Sequence, residues 1–377
     1  MRSPIRILHV FAHMNRGGAE TMIMNIYRKI NRDEIQFDFI VHSTEKGAYD
    51  DEISLLGGTI YCLPKYRGVN HLEYIKSWQR FFEVNKQYKI IHGHMRSTAS
   101  LYLSIAKRYG LVTIAHSHST SSRGSYIEKK IKGVLQYPIR FIADYFFSCS
   151  NAAGTWLFGK KIVNQSNYKI IYNGVDTSKF QFSEEKRIIS RKCLNLNEDN
   201  IVLGHIGSFT EPKNHSFLID ILKECKKVND NVVLVLVGDG PLNTEIRNKI
   251  TFENLESSVL LLGIRDDIDN LIHGFDKFVF PSLYEGLPVT LIEAQANGLK
   301  CYISDRITKE VVITDLIESL SLNDSPNIWA MKILESSKVN NRKLYAKDII
   351  ESGYDITNVA GQLSSFYFRV INKIDCR

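Results

Sequence analysis

Pro281-Ser282-Leu283-Tyr284-Glu285-Gly286-Leu287-Pro288-Val289-Thr290-Leu291-Ile292-Glu293-Ala294 follows the short apolar run Lys277-Phe278-Val279-Phe280. The run reads as a buried parallel strand. Gly286 lets the chain turn sharply and brings backbone N–H groups close to a ligand. Pro288 suits the first position of a helix, which Val289, Leu291, Ile292 and Ala294 continue. A strand, a glycine turn and a helix N-terminus form an anion site at the carboxyl edge of a parallel sheet. Glu285 falls in the turn, facing the ligand. Glu293 falls on the helix, where a carboxylate accepts hydroxyl hydrogen bonds. The pattern fits a diphosphate flanked by two polyols, the chemistry of a nucleotide sugar.

Outward from this segment, strands alternate with helices in two series. The first has strands at 5–11, 37–41, 89–92, 111–115 and 145–149. It also has a helix with Met22, Ile23, Ile26, Tyr27 and Ile30 on one face, after Gly17-Gly18. The second has strands at 201–206, 232–237 and 259–262 and a helix carrying Phe217, Leu218, Ile221, Leu222, Cys225 and Val228. Asn173-Gly174-Val175-Asp176 reads as a turn and 177–185 as a polar linker. Such alternation implies an α/β architecture of two Rossmann-like domains with covered parallel sheets around a central cleft.

The chain of 377 residues is long enough for about two domains. Its composition, 44% apolar and 24% charged, is that of a folded globular protein rather than a disordered one. Residues 1–175 carry 24 Lys and Arg against 12 Asp and Glu, a balance of +12; residues 176–377 carry 24 against 29, a balance of −5. The basic half suggests an anionic partner. Lipid is preferred to nucleic acid, because no helix-turn-helix, zinc-ligand spacing or aromatic RNA-binding motif is present. The six cysteines, Cys62, Cys149, Cys193, Cys225, Cys301 and Cys376, form no C-x-x-C pair and suit reduced thiols in a cytosolic protein. Met1-Arg2-Ser3-Pro4 leads straight into a strand, so no signal peptide is expected. No run of about 18 uncharged apolar residues predicts a membrane span.

With these turns in place, the chain resembles the retaining GT-B glycosyltransferases of family 4, close to the bacterial capsular and exopolysaccharide group. The resemblance covers nearly the whole length. Glu285 to Glu293 matches the family's E-x7-E motif, and Gly17-Gly18 its early glycine loop. Residues 173–176 match its interdomain Asn-Gly-Val-Asp, and Gly238-Asp239-Gly240-Pro241 its G-D-G-P turn. Residues 207–214 match its phosphate segment, with one departure: the family usually has Arg after the glycine, and this chain has Ser208. Arginine grips a diphosphate with a rigid fork of donors, whereas serine offers one hydroxyl. More of the phosphate charge then falls to Lys213, with Arg265 as a possible compensating group.

The resemblance implies an N-terminal acceptor-binding domain over 1–180 and a nucleotide-sugar-binding domain over 181–355. A last segment, 356–377, holds a helix at about 358–371 that crosses back to the first domain. It implies transfer of a hexosyl or N-acetylhexosaminyl group from a UDP-sugar to a lipid-linked surface-polysaccharide intermediate. Anomeric configuration is retained, and no metal or other cofactor is needed. His116, Glu285 and Lys213 are the expected catalytic residues. Donor binding falls to Gly17, Gly18, Ser208, Lys213, Gly263, Arg265, Glu285, Gly286, Leu287 and Glu293, with Glu293 on the ribose and Glu285 on the donor sugar. His94 and His118 are candidates for the acceptor side.

Other readings compete. A glycosidase acid–base pair at Glu285 and Glu293 would need no phosphate cradle. The pairs His92-x-His94 and His116-x-His118 invite zinc, but no third ligand is evident nearby. Asp267-Ile268-Asp269 mimics a D-x-D metal motif, yet capping and the helix dipole explain an aspartate at a helix start. A non-catalytic nucleotide-binding relative and a nucleotide-sugar epimerase also fit the architecture. Residues 126–146 mix Tyr126, Ile127, Ile131, Val134, Leu135, Phe141 and Phe146 with Lys129, Lys130, Lys132 and Arg140, and Pro138 should break any helix. This basic amphipathic segment suggests peripheral contact with the anionic inner face of the cell membrane.

Overall fold

The computed structural model describes residues 3–119 and 126–376; within 126–130 the side chains of Tyr126, Ile127 and Lys129 also lie outside the description. The chain divides into two compact units, one formed by residues up to Gly174 together with those from Ile356 onward, the other by Val175–Asp355. The division therefore falls a few residues before the expected 180. The expected linker over 177–185 is largely helical instead: Thr177–Phe180 is a short helix, and another spans Glu184–Cys193 with Ser183 capping it. Thr177 Oγ1 donates to Asp355 Oδ2 at 2.5 Å, which joins the two ends of the second unit.

The first unit is built on seven parallel strands: β1 Ile5–Val10, β2 Ile35–Val41, β3 Ile60–Cys62, β4 Ile90–Gly93, β5 Val112–Ser117, β6 Tyr145–Ser148 and β7 Tyr168–Ile170, in the order β3-β2-β1-β4-β5-β6-β7. Helix Gly18–Lys29 buries Met22, Ile23, Ile26 and Tyr27 on one face of this sheet, as its spacing predicts. The closing helix, Ile356–Asp375, is longer at both ends than expected. Its Val359, Leu363, Phe366, Tyr367 and Val370 join the same apolar core.

The second unit has six parallel strands: β8 Ile201–Ile206, β9 Val232–Val237, β10 Val259–Leu261, β11 Lys277–Phe280, β12 Lys300–Ser304 and β13 Ile317–Leu320, in the order β10-β9-β8-β11-β12-β13. Burial of Leu203, Leu234, Leu236 and Val279 against Leu218, Ile221 and Leu222 forms its core. In both sheets the chain runs outward one way and then the other, so each has one point where neighbouring strands send their following loops apart. These points lie between β1 and β4 and between β8 and β11. Open α/β sheets bind ligands at the carboxyl ends of the strands at such a switch point.

Candidate active site

In the second unit the two loops that part at the switch point carry the predicted residues. After β8 the chain makes a tight 3-10 turn over Glu211–Lys213, ended by Asn214 in the left-handed conformation, φ 54°. Asn214 Nδ2 donates to the Pro281 carbonyl at 3.1 Å, and the Leu283 amide donates to the Pro212 carbonyl at 2.8 Å. These bonds fasten the loop after β8 to the loop after β11. Lys213 Nζ thereby reaches Glu285 Oε1 at 2.7 Å and lies 4.8 Å from the centre of the Phe280 ring. Both side chains are mostly covered, 18% and 15% exposed. An ammonium has three donors, so one bond to Glu285 leaves two for an anion.

The glycines make this approach possible. Gly238 has φ +137°, and a Cβ there would stand 2.1 Å from the Gly207 carbonyl oxygen. Its amide donates to the Gly263 carbonyl at 2.8 Å, which places the predicted Gly263 (φ +64°) in the same loop assembly. Helix Val289–Ala296 begins one residue later than expected, with Pro288 at its cap position. Its first amides, next to Gly286 and Leu287, lack intrahelical partners, as at any helix start. Glu293 is half-buried on this helix. Loss of water contact, and secondarily the Asp269 charge, push its carboxyl up to about 7. A carboxyl so withdrawn gains most from hydroxyl groups that donate to its ionised form.

One expectation needs correction: Asp267 makes no side-chain cap to the helix it precedes, because its carboxylate is taken by Arg265. The Arg265 guanidinium holds Asp267 in an exposed two-pronged pair at 2.8 and 2.7 Å. Ser208 is exposed, with its hydroxyl 3.3 Å from Thr210 Oγ1.

In the first unit Gly17 caps helix Gly18–Lys29 after β1, and a Cβ there would meet the Glu20 carboxylate at 2.3 Å. Beyond it lies a cluster that sequence reasoning saw only in part. His92 and His94 at the end of β4, and His116 and His118 at the end of β5, are joined by His9 from β1, the register partner of His92. The sequence pattern hides this fifth ring because β1 and β4 are neighbours only in the folded sheet. His9 Nδ1 lies 3.0 Å from His94 Nε2, and His94 Nδ1 lies 2.8 Å from His118 Nε2. His92 bridges His116 Nδ1 at 3.1 Å and the Tyr367 hydroxyl at 2.6 Å. His94 is thus an interior link, stacked on Phe11 at 4.3 Å, and the absence of a third ring near the H-x-H pairs does not hold. Burial, followed by neighbouring imidazoles, drives His92, His94 and His116 well below the ordinary histidine range. His9, through burial alone, and His118, through burial and then Arg96, fall to about 3. All five rings are neutral near pH 7. His205 and His215, under the Lys213 loop, were also missed; their rings meet edge to face at 4.8 Å.

The profile described as Glycosyltransferase Family 4 matches residues 16–179, and that described as Glycosyl transferases group 1 matches residues 186–332. The putative glycosyltransferase EpsF of Bacillus subtilis (strain 168) is 35% identical, over 96% of this chain and 96% of that relative. The chain belongs to the family 4 glycosyltransferases. An Escherichia coli relative, named UDP-Gal:alpha-D-GlcNAc-diphosphoundecaprenol alpha-1,3-galactosyltransferase, is 25% identical across 98% of this chain and 99% of its own length. The capsular polysaccharide biosynthesis glycosyltransferase CapH of Staphylococcus aureus is 26% identical across 96% and 98%. Among solved structures, Anabaena HepE in complex with UDP superposes with a TM-score of 0.79 at 20% identity, covering 97% of this chain and all of that one, 100%. The fold of this transferase is therefore GT-B.

Proposed function

We propose that this family 4 glycosyltransferase moves a hexosyl or N-acetylhexosaminyl group from a UDP-sugar to a lipid-linked surface-polysaccharide intermediate, with retention and without a metal. The observation that carries the reading is the Lys213–Glu285 pair, held at 2.7 Å where the loops after β8 and β11 part. Lys213 would bind the diphosphate with its remaining donors, and the Gly286 and Leu287 amides at the helix start would add to it. Glu285, oriented by Lys213, would accept hydroxyls of the donor sugar. Glu293 would accept the ribose hydroxyls. The leaving phosphate oxygen would take the acceptor proton as the C–O bond to the sugar breaks, and the new bond would form on the same face. His116 is assigned to the donor sugar by the family motif. The names of the relatives, one a UDP-galactose transferase acting on a diphosphoundecaprenol acceptor, support the donor and acceptor classes.

A peripheral membrane contact fits the same reading. On helix Tyr126–Gln136 and the short helix Ile139–Ile142 beyond it, Ile131, Val134 and Phe141 are 55%, 74% and 73% exposed. Arg140, expected among the basic residues, is instead turned inward onto the Leu157 carbonyl. Lys130 is exposed and Lys132 half-buried, and the Lys129 side chain lies outside the description. Among the described residues no helix is long and apolar enough to cross a membrane.

Ser208 supports a second reading, a nucleotide-sugar binder with weak turnover, because Arg265 is committed to Asp267. Incubation with a panel of UDP-sugars and a polyprenyl-diphosphate-linked acceptor separates the two. A glycosylated lipid with its anomeric centre unchanged supports the transferase; binding without product supports the weak relative. An epimerised donor without any acceptor contradicts both.

A further inference from the structure

The histidine cluster of the first unit has a direction. We infer that Tyr367, acting through His92, is a positioning residue that holds His116 in the tautomer carrying its proton on Nε2. The inference rests on the role proposed above for His116.

The argument is one of hydrogen-bond accounting. Tyr367 comes from the closing helix, 275 residues from His92 in sequence, and its hydroxyl is buried, 0% exposed, with His92 Nδ1 as its partner among the described residues. A neutral imidazole has one donor and one acceptor nitrogen. If the hydroxyl donates, His92 Nδ1 accepts. His92 then carries its proton on Nε2 and donates to His116 Nδ1, 3.1 Å away. His116 is left with N–H at Nε2, a nitrogen that has no partner among the described residues. If the order is reversed, the tyrosine O–H points into packed interior with no acceptor, and His116 Nε2 becomes a bare lone pair. The first order leaves one buried group unpaired, the His116 Nε2–H, whereas the reverse leaves two, the tyrosine O–H and the His116 Nε2 lone pair; buried polar groups are seldom left unpaired, so the first order prevails. Burial raises the Tyr367 phenol well above its ordinary range and lowers His92 well below its own, which keeps both groups in the neutral forms the relay needs. The chain His9–His94–His118 has no hydroxyl at either end, and its direction is not set in the same way.

The result is a buried histidine, 1% exposed, whose one unpaired group is an N–H donor, the polarity suited to a sugar hydroxyl or ring oxygen. The competing use of the same rings is metal ligation, since His9, His92 and His94, or His94, His116 and His118, bring nitrogens within 4.8 Å of one another. Both sets require His94, whose two nitrogens are already paired with His9 and His118. No carboxylate is among the hydrogen-bond partners of the five rings in the described residues, so a dication would enter a site with no compensating charge.

The test uses the full chain labelled with ¹⁵N at histidine, in which ring shifts separate protonated from bare nitrogens. His116 should be protonated on Nε2, and Tyr367→Phe should convert it to a mixture of tautomers while the folded far-UV spectrum is retained. Turnover of Tyr367→Phe should fall on the order of 10-fold with little change in donor KM, the scale at which partners that orient a histidine are felt. A wild-type His116 protonated on Nδ1, or a tautomer unmoved by Tyr367→Phe, overturns the inference. So does one equivalent of zinc that survives chelation on these rings. A tautomer that shifts while turnover stays intact would instead remove the proposed role of His116, and with it the functional half of the inference.

Discussion

Lys213 Nζ and Glu285 Oε1 stand 2.7 Å apart although 72 residues separate them in sequence. The contact exists because β8 and β11 are adjacent and because Asn214 and Leu283 lock their loops together. In the proposed donor site such a pair, largely shielded from water, would act as a preorganised charge for a second anion rather than as a device for stability. Replacing Lys213 by Ala should lower kcat on the order of 100-fold, about 3 kcal/mol of transition-state stabilisation. It should also weaken UDP binding, because the diphosphate would lose the Lys213 ammonium and the nearby Glu285 carboxylate its counter-charge. Steady-state kinetics with UDP-sugar and titration calorimetry with UDP check the two effects separately.

The proposed ribose contact of Glu293 would make UDP binding depend on pH. Ribose hydroxyls would donate to the ionised carboxylate, and burial pushes the free carboxyl up to about 7. Affinity for UDP should therefore rise as pH increases from 6 to 8, with protons released on binding below 7. Stability should run the other way. The folded-state pKa is raised above the ordinary glutamate value of about 4.5, so the folded protein holds this proton more tightly than the unfolded chain. That contribution is present below about 4.5 and is lost as pH rises to 7, at most about 3 kcal/mol. Glu293→Gln should melt higher than wild type at pH 8, and its UDP affinity should be weaker and flat with pH. Calorimetry and thermal melts across that range read both.

Gly238→Ala should be among the most damaging single-methyl changes in the second unit. The backbone lies at φ +137°, and the new Cβ would meet the Gly207 carbonyl oxygen at 2.1 Å. Relief requires movement of the loop that carries Lys213. A loss of more than about 2 kcal/mol is expected, measured by denaturant unfolding.

Ser208→Arg would restore the fork of donors that the family usually places there. The position is exposed and can accept the longer chain. UDP should bind roughly 10-fold more tightly, the scale of one charge-assisted hydrogen bond. Unchanged affinity would mean that the loop after β8 does not meet the diphosphate at this position.

The pair Val134 and Phe141 offers a test of the membrane contact. Binding to vesicles containing anionic lipid should weaken as salt rises. Changing both residues to Ser should reduce it by at least about 10-fold, given the apolar area withdrawn from the bilayer. Sedimentation with anionic and neutral vesicles measures this, and equal binding to both at every salt concentration would count against the contact.

What could be read in the chain follows from how each element is buried. β8, β9 and β11 lie inside the sheet and are mostly buried; β9 is an unbroken apolar run, and Ile201–Leu203 and Phe278–Phe280 mark β8 and β11. β3, β7 and β13 lie at sheet edges, where strands of three or four residues mix in Lys169, Tyr61 or Glu318 and lose the signal. β12, although inside the sheet, was missed as well; only Cys301-Tyr302-Ile303 lie between Lys300 and Ser304, too short an apolar stretch to stand out. The Glu285–Glu293 spacing was legible because both residues lie in one continuous segment. The partners of Lys213, the pairing of Arg265 with Asp267, and the fifth histidine were not, because each depends on side-chain rotamers or on which strands become neighbours. The Tyr367–His92 bond is the extreme case, since the closing helix must first return to the sheet.

The most direct test of the account is titration of the wild-type chain and Lys213→Ala with UDP at pH 8. The account predicts one UDP per wild-type chain, in the affinity range typical of enzyme substrates, and a clear loss in the variant. A folded wild-type protein that takes up no UDP or UDP-sugar at millimolar concentration, or that binds UDP as well without Lys213 as with it, would contradict the central claim.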